Sequence, residues 1–191
     1  QFSGSLKPDF VLPFKLSKDD AVKALKAHYK GKPFLPRQFT NENHVQEIKG
    51  VYVPFWMFDG KATGSGDYEV TETDHFDIFR EGSISFEKVP VDASSKMPDD
   101  YMDSIEPFDY KELKRFSTAY LPGFLADKYD VSVEDCHERA DTRCEGSLVA
   151  ALGDTVTGYD SCVPVSHDVK LRRGKVHYAL LPIWLLSTKW Q

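Results

Sequence analysis

The densest group of side chains that could do chemistry lies between Glu69 and Asp77. It holds the carboxylates of Glu69, Glu72, Asp74 and Asp77 and the imidazole of His75. Carboxylates beside a histidine can bind a hard cation or act as general acid and base. Strand alternation, however, would place Glu69, His75 and Asp77 on one face and the other two acids on the opposite face. A solvated strand face is the favoured interpretation, with Glu69, His75 and Asp77 as the candidate metal ligands.

A second set of potential metal ligands is spread over the C-terminal third of the chain, at Cys136, His137, Cys144, Cys162 and His167. Structural zinc sites usually bring their ligands in pairs that lie two to four residues apart. Cys136 and Cys144 instead share one apolar helical stripe, which explains both as buried side chains. We therefore predict no cofactor held by this segment.

Patterns typical of nucleophilic enzymes and of nucleotide-driven motors are missing from the sequence. It contains no Gly-x-Ser-x-Gly elbow and no His-Glu-x-x-His helix. The glycine-rich run 60–66 lacks the Gly-Lys-Ser/Thr ending of a phosphate-binding loop, and we interpret it as a flexible hairpin loop. A non-enzymatic role is favoured, with a metal-dependent enzyme on the acidic strand as the less favoured alternative.

Positive charge is concentrated at one place in an otherwise acidic chain. The net charge is −6 and the sequence pI is near 5.5, so a surface that follows phosphates must be local. The basic cluster consists of Lys170, Arg172, Arg173 and Lys175. A charged hairpin tip at residues 172–174 is the favoured interpretation, and Arg172, Arg173 and Lys175 are the candidate interaction residues.

Two similar apolar runs, each with a Pro-x-Trp step, organise the chain. Residues 51–58 read Val-Tyr-Val-Pro-Phe-Trp-Met-Phe, and residues 179–186 read Ala-Leu-Leu-Pro-Ile-Trp-Leu-Leu. Both predict buried strands, and their prolines suggest short strands with interrupted edges. Aromatics in such strands are usually core, although an exposed row would offer a platform for bases or a peptide.

Helical and hairpin patterns fill the chain around these two strands. Capping boxes at Ser17 and Ser132 predict helices that run to Gly31 and to about Thr155. A hairpin over residues 67–91 is expected to turn at residues 80–83. Further helices are predicted over residues 41–48, from Pro98, and over 110–116 and 119–129 with a break at Pro122.

These elements together predict an α+β fold of mostly antiparallel sheet, with a helical insert between the two Pro-Trp strands. The 191 residues, of which 41% are hydrophobic, suffice for a single domain over residues 1–191. The best candidate for an internal boundary is residues 93–95. Three cysteines and the absence of a glycosylation sequon favour a reducing compartment, which predicts a cytoplasmic location.

Several stretches of the chain carry a family resemblance, at residues 6–9 with 13–15, 28–32, 42–56, 89–92, 106–110 and 174–184. They resemble an uncharacterised family of bacterial TFIIB-type zinc-ribbon proteins, some of whose members are labelled primosomal replication-restart helicases. The resemblance implies zinc ribbons upstream of Gln1 and a hydrophobic, membrane-spanning tail beyond Trp190. The ribbon cysteines are not among these residues, so no zinc ligand or nucleic-acid contact carries over to any of them.

The resemblance widens the range of partners. We expect a binding or scaffold domain with a protein partner. Nucleic acid is the alternative partner, bound through the upstream ribbons, and the downstream tail would place the chain at the cytoplasmic face of a membrane.

Overall fold

The computed structural model describes residues 6–29, 45–98, 102, 105 and 108–188. Its six strands are β1 (Phe10–Val11), β2 (Val45–Thr71), β3 (His75–Asp92), β4 (Lys114–Arg115), β5 (Leu125–Ala126) and β6 (Ser161–Thr188). Its two helices are α1 (Lys18–Tyr29) and α2 (Val133–Asp154), and short 3-10 turns occupy Tyr110–Glu112 and Thr118–Tyr120.

The strands form one sheet in the order β3-β2-β6-β1-β4, and β5 adds to β2 in parallel. β1 pairs with β6 in parallel and with β4 in antiparallel orientation. The α+β fold class is therefore confirmed, and α2 lies in the chain between the two Pro-Trp strands as expected. Those strands are much longer than their prolines suggested, at 27 residues for β2 and 28 for β6.

The chain divides into two compact units. The first unit contains residues 1–55, 94–130 and 178–191, and the second contains 56–93 and 131–177. The chain passes from the second unit to the first between Ala93 and Ser94. The expectation of a single domain over residues 1–191 stays a prediction.

The core of the first unit forms around the N-terminal half of β2 and the C-terminal part of β6. Its buried members are Leu12, Val51, Val53, Phe55, Met102, Leu181 and Ile183. Beside it, the ring of Phe14 stacks on Phe124 at 4.1 Å and meets the edge of Trp184 at 4.9 Å. Trp184 is therefore packed, although it is only partly buried.

The core of the second unit forms between α2 and one face of the sheet. Its buried members are Ala62, Tyr68, Val70, Leu148, Leu152 and Val156. The helix begins as predicted, because the Ser132 hydroxyl accepts a hydrogen bond from the Asp135 N–H at 3.2 Å. Its predicted apolar stripe is confirmed at Cys136, Ala140, Cys144, Leu148 and Leu152, all of which are buried.

Helix α1 begins at the other predicted capping box, where the Ser17 hydroxyl accepts from the Asp20 N–H at 3.2 Å. Ala21 on its apolar stripe is buried. The predicted end at Gly31 lies outside the described residues. Met102 is helical and its N–H donates to the Pro98 carbonyl at 3.3 Å, which agrees with a helix that starts near Pro98.

The predicted hairpin exists, but its turn was placed wrongly. The chain turns at residues 72–74, where the alternation breaks, and residues 80–83 continue within β3. The turn is closed by a hydrogen bond from the Glu72 N–H to the Asp74 carbonyl at 3.1 Å. Arg80-Glu81-Gly82-Ser83 is turn-like in composition, but pairing with β2 keeps it extended.

Two further loop predictions are wrong for the same reason. Residues 60–66 and 172–174 are both interior to long strands, β2 and β6, rather than hairpin tips. The glycines allow close approach of the two strands. A Cβ on Gly64 would lie 2.4 Å from the Asp168 carbonyl oxygen, and one on Gly174 would lie 2.9 Å from the Asp59 carbonyl oxygen. Glycine is required there by crowding and not by a turn.

Three helix predictions are also wrong. Residues 110–116 and 119–129 form two 3-10 turns and the short strands β4 and β5. Strand pairing satisfies their backbone instead, since β4 pairs with β1 and β5 with β2. Residues 45–48 of the predicted helix 41–48 belong to β2, and its first four residues lie outside the described part of the chain.

Candidate functional site

Strand β3 forms one end of the sheet, and at 18 residues it is far longer than β4 at the other end. Its exposure alternates along residues 77–87. Ile78, Ile84 and Phe86 pack against the core of the second unit. The intervening side chains, Asp77, Phe79, Glu81, Ser83, Ser85 and Glu87, are exposed. We call this row of six residues the acidic row.

The exposed part of β3 ends at Lys88, where the backbone has the features of a β-bulge. Lys88 has a φ of 55°, and its N–H donates to the Asp59 carboxylate at 2.9 Å. After Lys88 the alternation stops, and Pro90, Val91 and Asp92 are all buried. The usable edge of β3 is therefore the stretch before Lys88, since a bulge and a proline both interrupt a hydrogen-bonding ladder.

The basic cluster lies on β6, in the second unit. Lys170, Arg172 and Lys175 are exposed. Arg173 instead turns towards α2, where its Nη2 donates to the Asp141 carboxylate at 2.6 Å. That hydrogen bond raises the pKa of Arg173. Of the three candidate interaction residues, Arg172 and Lys175 thus offer positive charge to a partner, while Arg173 is engaged within the unit.

The acidic strand predicted as a candidate metal site spans the hairpin turn. His75 Nδ1 lies 3.5 Å from a carboxylate oxygen of Glu69 and 3.2 Å from the Thr71 hydroxyl. The side chains of Glu69 and His75 are exposed, and so is that of Asp77 on β3. Within residues 6–29, 45–98 and 108–188, no three Cys, His, Asp or Glu side chains gather closely enough to hold a metal ion.

The cysteines and histidines of the second candidate metal set are separated. Cys136 and Cys144 are buried on α2, whereas Cys162 is exposed on β6. Burial raises the pKa of the Cys144 thiol, which disfavours the reactive thiolate. His167 instead pairs with the Tyr68 hydroxyl at 3.0 Å. The buried members of the set, Cys136 and Cys144, therefore have packing roles.

A shallow hollow in the second unit is lined by α2, β2 and β6. His137 lies on its floor with its ring 5.0 Å from that of Phe58, and its Nδ1 is buried without a hydrogen-bond partner among the described residues. Asp141 and Arg173 close one side through their ion pair. Cys144 also lines the hollow, and burial raises the pKa of its thiol, which disfavours a nucleophilic thiolate there.

The aromatic residues of the Pro-Trp strands do not form an exposed platform among the described residues. Tyr52, Phe55, Trp56 and Phe58 are all at most 5% exposed, and the Trp56 indole N–H donates to the Val131 carbonyl at 2.9 Å. Trp184 is partly buried in the cluster with Phe14. The core interpretation of these aromatics holds in the structure.

The acidic row was not predicted as a site. Its signal is present in the sequence, because exposed and core side chains alternate from Asp77 to Glu87. Placing a turn at residues 80–83 divided that run and hid the alternation. The position of β3 at the end of the sheet could not be predicted from the sequence either, because the order of the strands depends on long-range pairing with β2.

Comparison with known proteins yields one curated relative. The chain is similar to YdjG. This protein of Bacillus subtilis (strain 168) is described only as an uncharacterised protein, and it is 36% identical over 200 residues. The match covers 98% of the chain but 59% of YdjG, so the chain spans about three-fifths of that relative's length. No protein-family model matches the chain, and no solved structure does.

The zinc-ribbon resemblance stays a prediction, because YdjG is known only as an uncharacterised protein and no zinc-ribbon or helicase family model matches the chain. Among the helices of the described residues, none is long and apolar enough to cross a membrane.

Proposed function

We propose that the chain is a non-enzymatic binding or scaffold domain that takes an extended, basic segment of a protein partner onto β3. The observation that carries this proposal is an 18-residue strand at the end of the sheet with an exposed, alternating row of acidic side chains. Added strands gain main-chain hydrogen bonds from such an edge, and side chains of the exposed face supply specificity.

The chemistry of the acidic row favours a partner that combines cations with one apolar side chain. Asp77, Glu81 and Glu87 supply negative charge, and Phe79 is 55% exposed between them. Acidic side chains on an edge strand also repel a second acidic edge, which restricts the partners that can pair with it. The preferred segment is thus a strand with lysine or arginine at alternate positions.

The placement of the side chains that could support catalysis also favours a scaffold role. Glu69, His75 and Asp77 are exposed on the hairpin, whereas catalytic groups usually lie in clefts that bury the substrate. The buried cysteines lie in the core of α2. None of these groups is placed to exclude water from a bound substrate.

A fluorescein-labelled peptide of alternating lysine and valine tests this proposal by fluorescence anisotropy. The chain should bind it, and the double variant Glu81→Lys and Glu87→Lys should bind at least about tenfold more weakly because like charges then face each other. The variant Glu138→Lys and Glu145→Lys makes the same charge change on exposed positions of α2 and should bind normally.

A second peptide separates strand addition from simple charge attraction. Methylating the backbone nitrogens of alternate residues keeps the charge but removes the hydrogen-bond donors that face the edge. Methylation of one of the two alternating sets should abolish binding, whereas methylation of the other should have little effect. Equal binding of both methylated peptides, or binding of a glutamate-valine peptide, would contradict the proposal.

Nucleic acid is the second candidate partner, favoured by the exposed cations Lys170, Arg172 and Lys175 on β6. Binding of this kind should weaken steeply with salt. A labelled oligonucleotide that binds the chain in a salt-sensitive manner, and loses affinity when Lys170 and Arg172 are replaced by alanine, would support this candidate. The chain carries a net charge of −6, which makes a protein partner the first choice.

The wider setting is proposed from the sequence resemblance. Zinc would be held by ribbon cysteines outside this chain, the compartment would be the cytoplasm, and a tail beyond the chain would attach the protein to the cytoplasmic face of a membrane. The three free cysteines, of which Cys162 is exposed, support a reducing compartment. Zinc analysis of the full-length protein tests the ribbon proposal.

A further inference from the structure

The second unit has another exposed strand edge besides β3. Residues 161–177 of β6 lie in this unit, and most of their side chains are exposed. These residues pair with β2, as the hydrogen bond from the Ser166 hydroxyl to the Asp67 carboxylate at 2.8 Å illustrates. Among the described residues, the pairing of β6 with β1 is confined to Ala179 and Leu180. The far edge of 161–177 is therefore open there.

The two edges lie along the same length of β2. At one end, Asp59 accepts from the Lys88 N–H of β3, and its carbonyl lies against Gly174 of β6. At the other end, the Thr71 hydroxyl meets His75 of β3 at 3.2 Å, and the Thr71 carbonyl accepts from the N–H of Asp160 at 2.8 Å. Both neighbours thus run antiparallel to β2 and parallel to each other.

This arrangement matches the geometry needed for one copy of the sheet to continue into the next. The β6 edge of one copy runs in the same direction as the β3 edge of the next, and residues 161–177 are long enough to cover the β3 edge before Lys88. In a sheet continued by parallel neighbours, the α2 face of each copy stays on one side and the acidic row stays on the other.

Charge distinguishes the possible pairings of edges. The β3 edge carries Asp77, Glu81 and Glu87, and the β6 edge carries Lys170, Arg172 and Lys175, all exposed. Two β3 edges repel each other, and so do two β6 edges. A β3 edge facing a β6 edge brings opposite charges together, which favours this pairing over the other two.

Exposed apolar side chains lie near the beginnings of both strands. Phe76 is the second residue of β3 and is 49% exposed. Val163 and Val165 near the start of β6 are 57% and 64% exposed. Parallel pairing over a common length brings these three side chains to the same end of the contact, where they bury apolar surface that the single chain leaves in water.

We infer that the chain associates with itself head to tail, with the β6 edge of one copy paired in parallel with the β3 edge of the next. The inference rests on the proposed function and names a second copy as the source of the basic segment. Because the two surfaces differ, the contact does not close on itself in a pair and extends into a ring or an open filament.

Sedimentation velocity on the whole chain tests this inference. The weight-average sedimentation coefficient should rise as the concentration increases from about 10 μM to about 1 mM, a range that covers weak association. Raising the salt concentration should reduce the rise, since exposed charges are screened. A coefficient that stays constant over this range would overturn the inference.

Charge-reversal variants test whether the β3 edge and the β6 edge are the surfaces that pair. The variants Glu81→Lys with Glu87→Lys, and Lys170→Glu with Arg172→Glu, should each weaken self-association at least about tenfold. Mixed in equal amounts, they should associate again, because each presents the edge that complements the other. Matched reversals at exposed positions elsewhere, Glu138→Lys with Glu145→Lys and Lys111→Glu with Lys114→Glu, should leave association unchanged. Failure of the mixture to recover would overturn the inference.

Two further outcomes distinguish a failure of the self-association inference from a failure of the proposed function. The Lys170→Glu with Arg172→Glu variant keeps β3 intact and should still bind the lysine-valine peptide. Peptide binding without self-association removes only the second copy as partner, whereas loss of both removes the proposed function as well. An oligonucleotide that binds through Lys170 and Arg172, while the Glu81→Lys with Glu87→Lys variant associates like the parent, would overturn the inference in favour of nucleic acid.

Discussion

The Asp59 carboxylate accepts a hydrogen bond from the backbone N–H of Lys88 at 2.9 Å, at a residue whose φ is 55°. A lysine with positive φ is strained, because its Cβ approaches its own backbone. The carboxylate satisfies an N–H that the bulge removes from the ladder. This contact sets where the exposed, regularly alternating part of β3 ends.

Removing the Asp59 carboxylate should therefore destabilise the second unit. Asp59→Ala is expected to lower the free energy of unfolding by about 1 to 2 kcal/mol, the usual cost of leaving a partly buried N–H without its acceptor. Asp59→Asn retains an acceptor oxygen and should cost less than half as much. Urea unfolding near neutral pH measures both, and equal costs would show that the hydrogen bond does not stabilise the bulge.

Two glycines should respond oppositely to alanine. Gly64→Ala places a Cβ 2.4 Å from a backbone oxygen of β6, so the strands must separate and we expect a loss of more than about 1 kcal/mol. Gly146 lies in α2 with open space around it, and Gly146→Ala should stabilise by about 0.5 to 1 kcal/mol. Thermal unfolding of both variants checks the pair. Tolerance of alanine at Gly64 would contradict the close approach.

The two tryptophans of the Pro-x-Trp steps should differ in their contributions to stability. Trp56 is 3% exposed, and Trp56→Ala should cost about 3 to 5 kcal/mol, as truncation of a buried aromatic does. Trp184 is only partly buried, so Trp184→Ala should cost clearly less. Denaturant midpoints of the two variants give the comparison. A larger cost at Trp184 would contradict the burial that the structure assigns.

Alkaline pH should destabilise the first unit through Tyr178. Burial raises the pKa of its hydroxyl to about 12 from the usual 10.0. The unfolded chain then loses this proton at lower pH than the folded chain, so stability is complete below about pH 10 and falls towards pH 12. By about pH 11 the loss from this one group is about 1 kcal/mol.

Replacing the tyrosine isolates that effect. Tyr178→Phe keeps the ring that meets Tyr129 edge-on at 5.3 Å but removes the ionisable hydroxyl. The unfolding free energy of this variant should fall less than that of the parent between about pH 8 and about pH 11. Parallel pH profiles for the two proteins would show that Tyr178 does not titrate over this range.

Local sequence signals predicted the helices with caps and failed where distant pairing decides the conformation. The Ser132 capping box and the stripe from Cys136 to Leu152 are complete within one stretch of chain, so α2 could be predicted almost to the residue. Residues 60–66 and 172–174 carry turn-like glycines, yet each is held extended by the opposite strand. The strand that holds each of these segments extended lies about a hundred residues away in the sequence.

The candidate site shows the same limit. Arg172 and Lys175 are exposed, as their charge suggested, but they lie within β6 and not at the predicted hairpin tip. The ion pair of Arg173 with Asp141 depends on how α2 packs against β6. The acidic row required both the correct turn at residues 72–74 and the knowledge that β3 ends the sheet. Neither follows from residue types alone.

Hydrogen–deuterium exchange along β3 tests the central claim that this strand is a docking edge. We expect peptides from residues 77–87 to exchange more slowly when the lysine-valine peptide is added, or when the chain is concentrated, because their outward N–H groups become hydrogen-bonded. Residues 133–154 of α2 should be unchanged. If exchange in 77–87 stays the same while the peptide binds, the partner does not dock on β3 and the account is wrong.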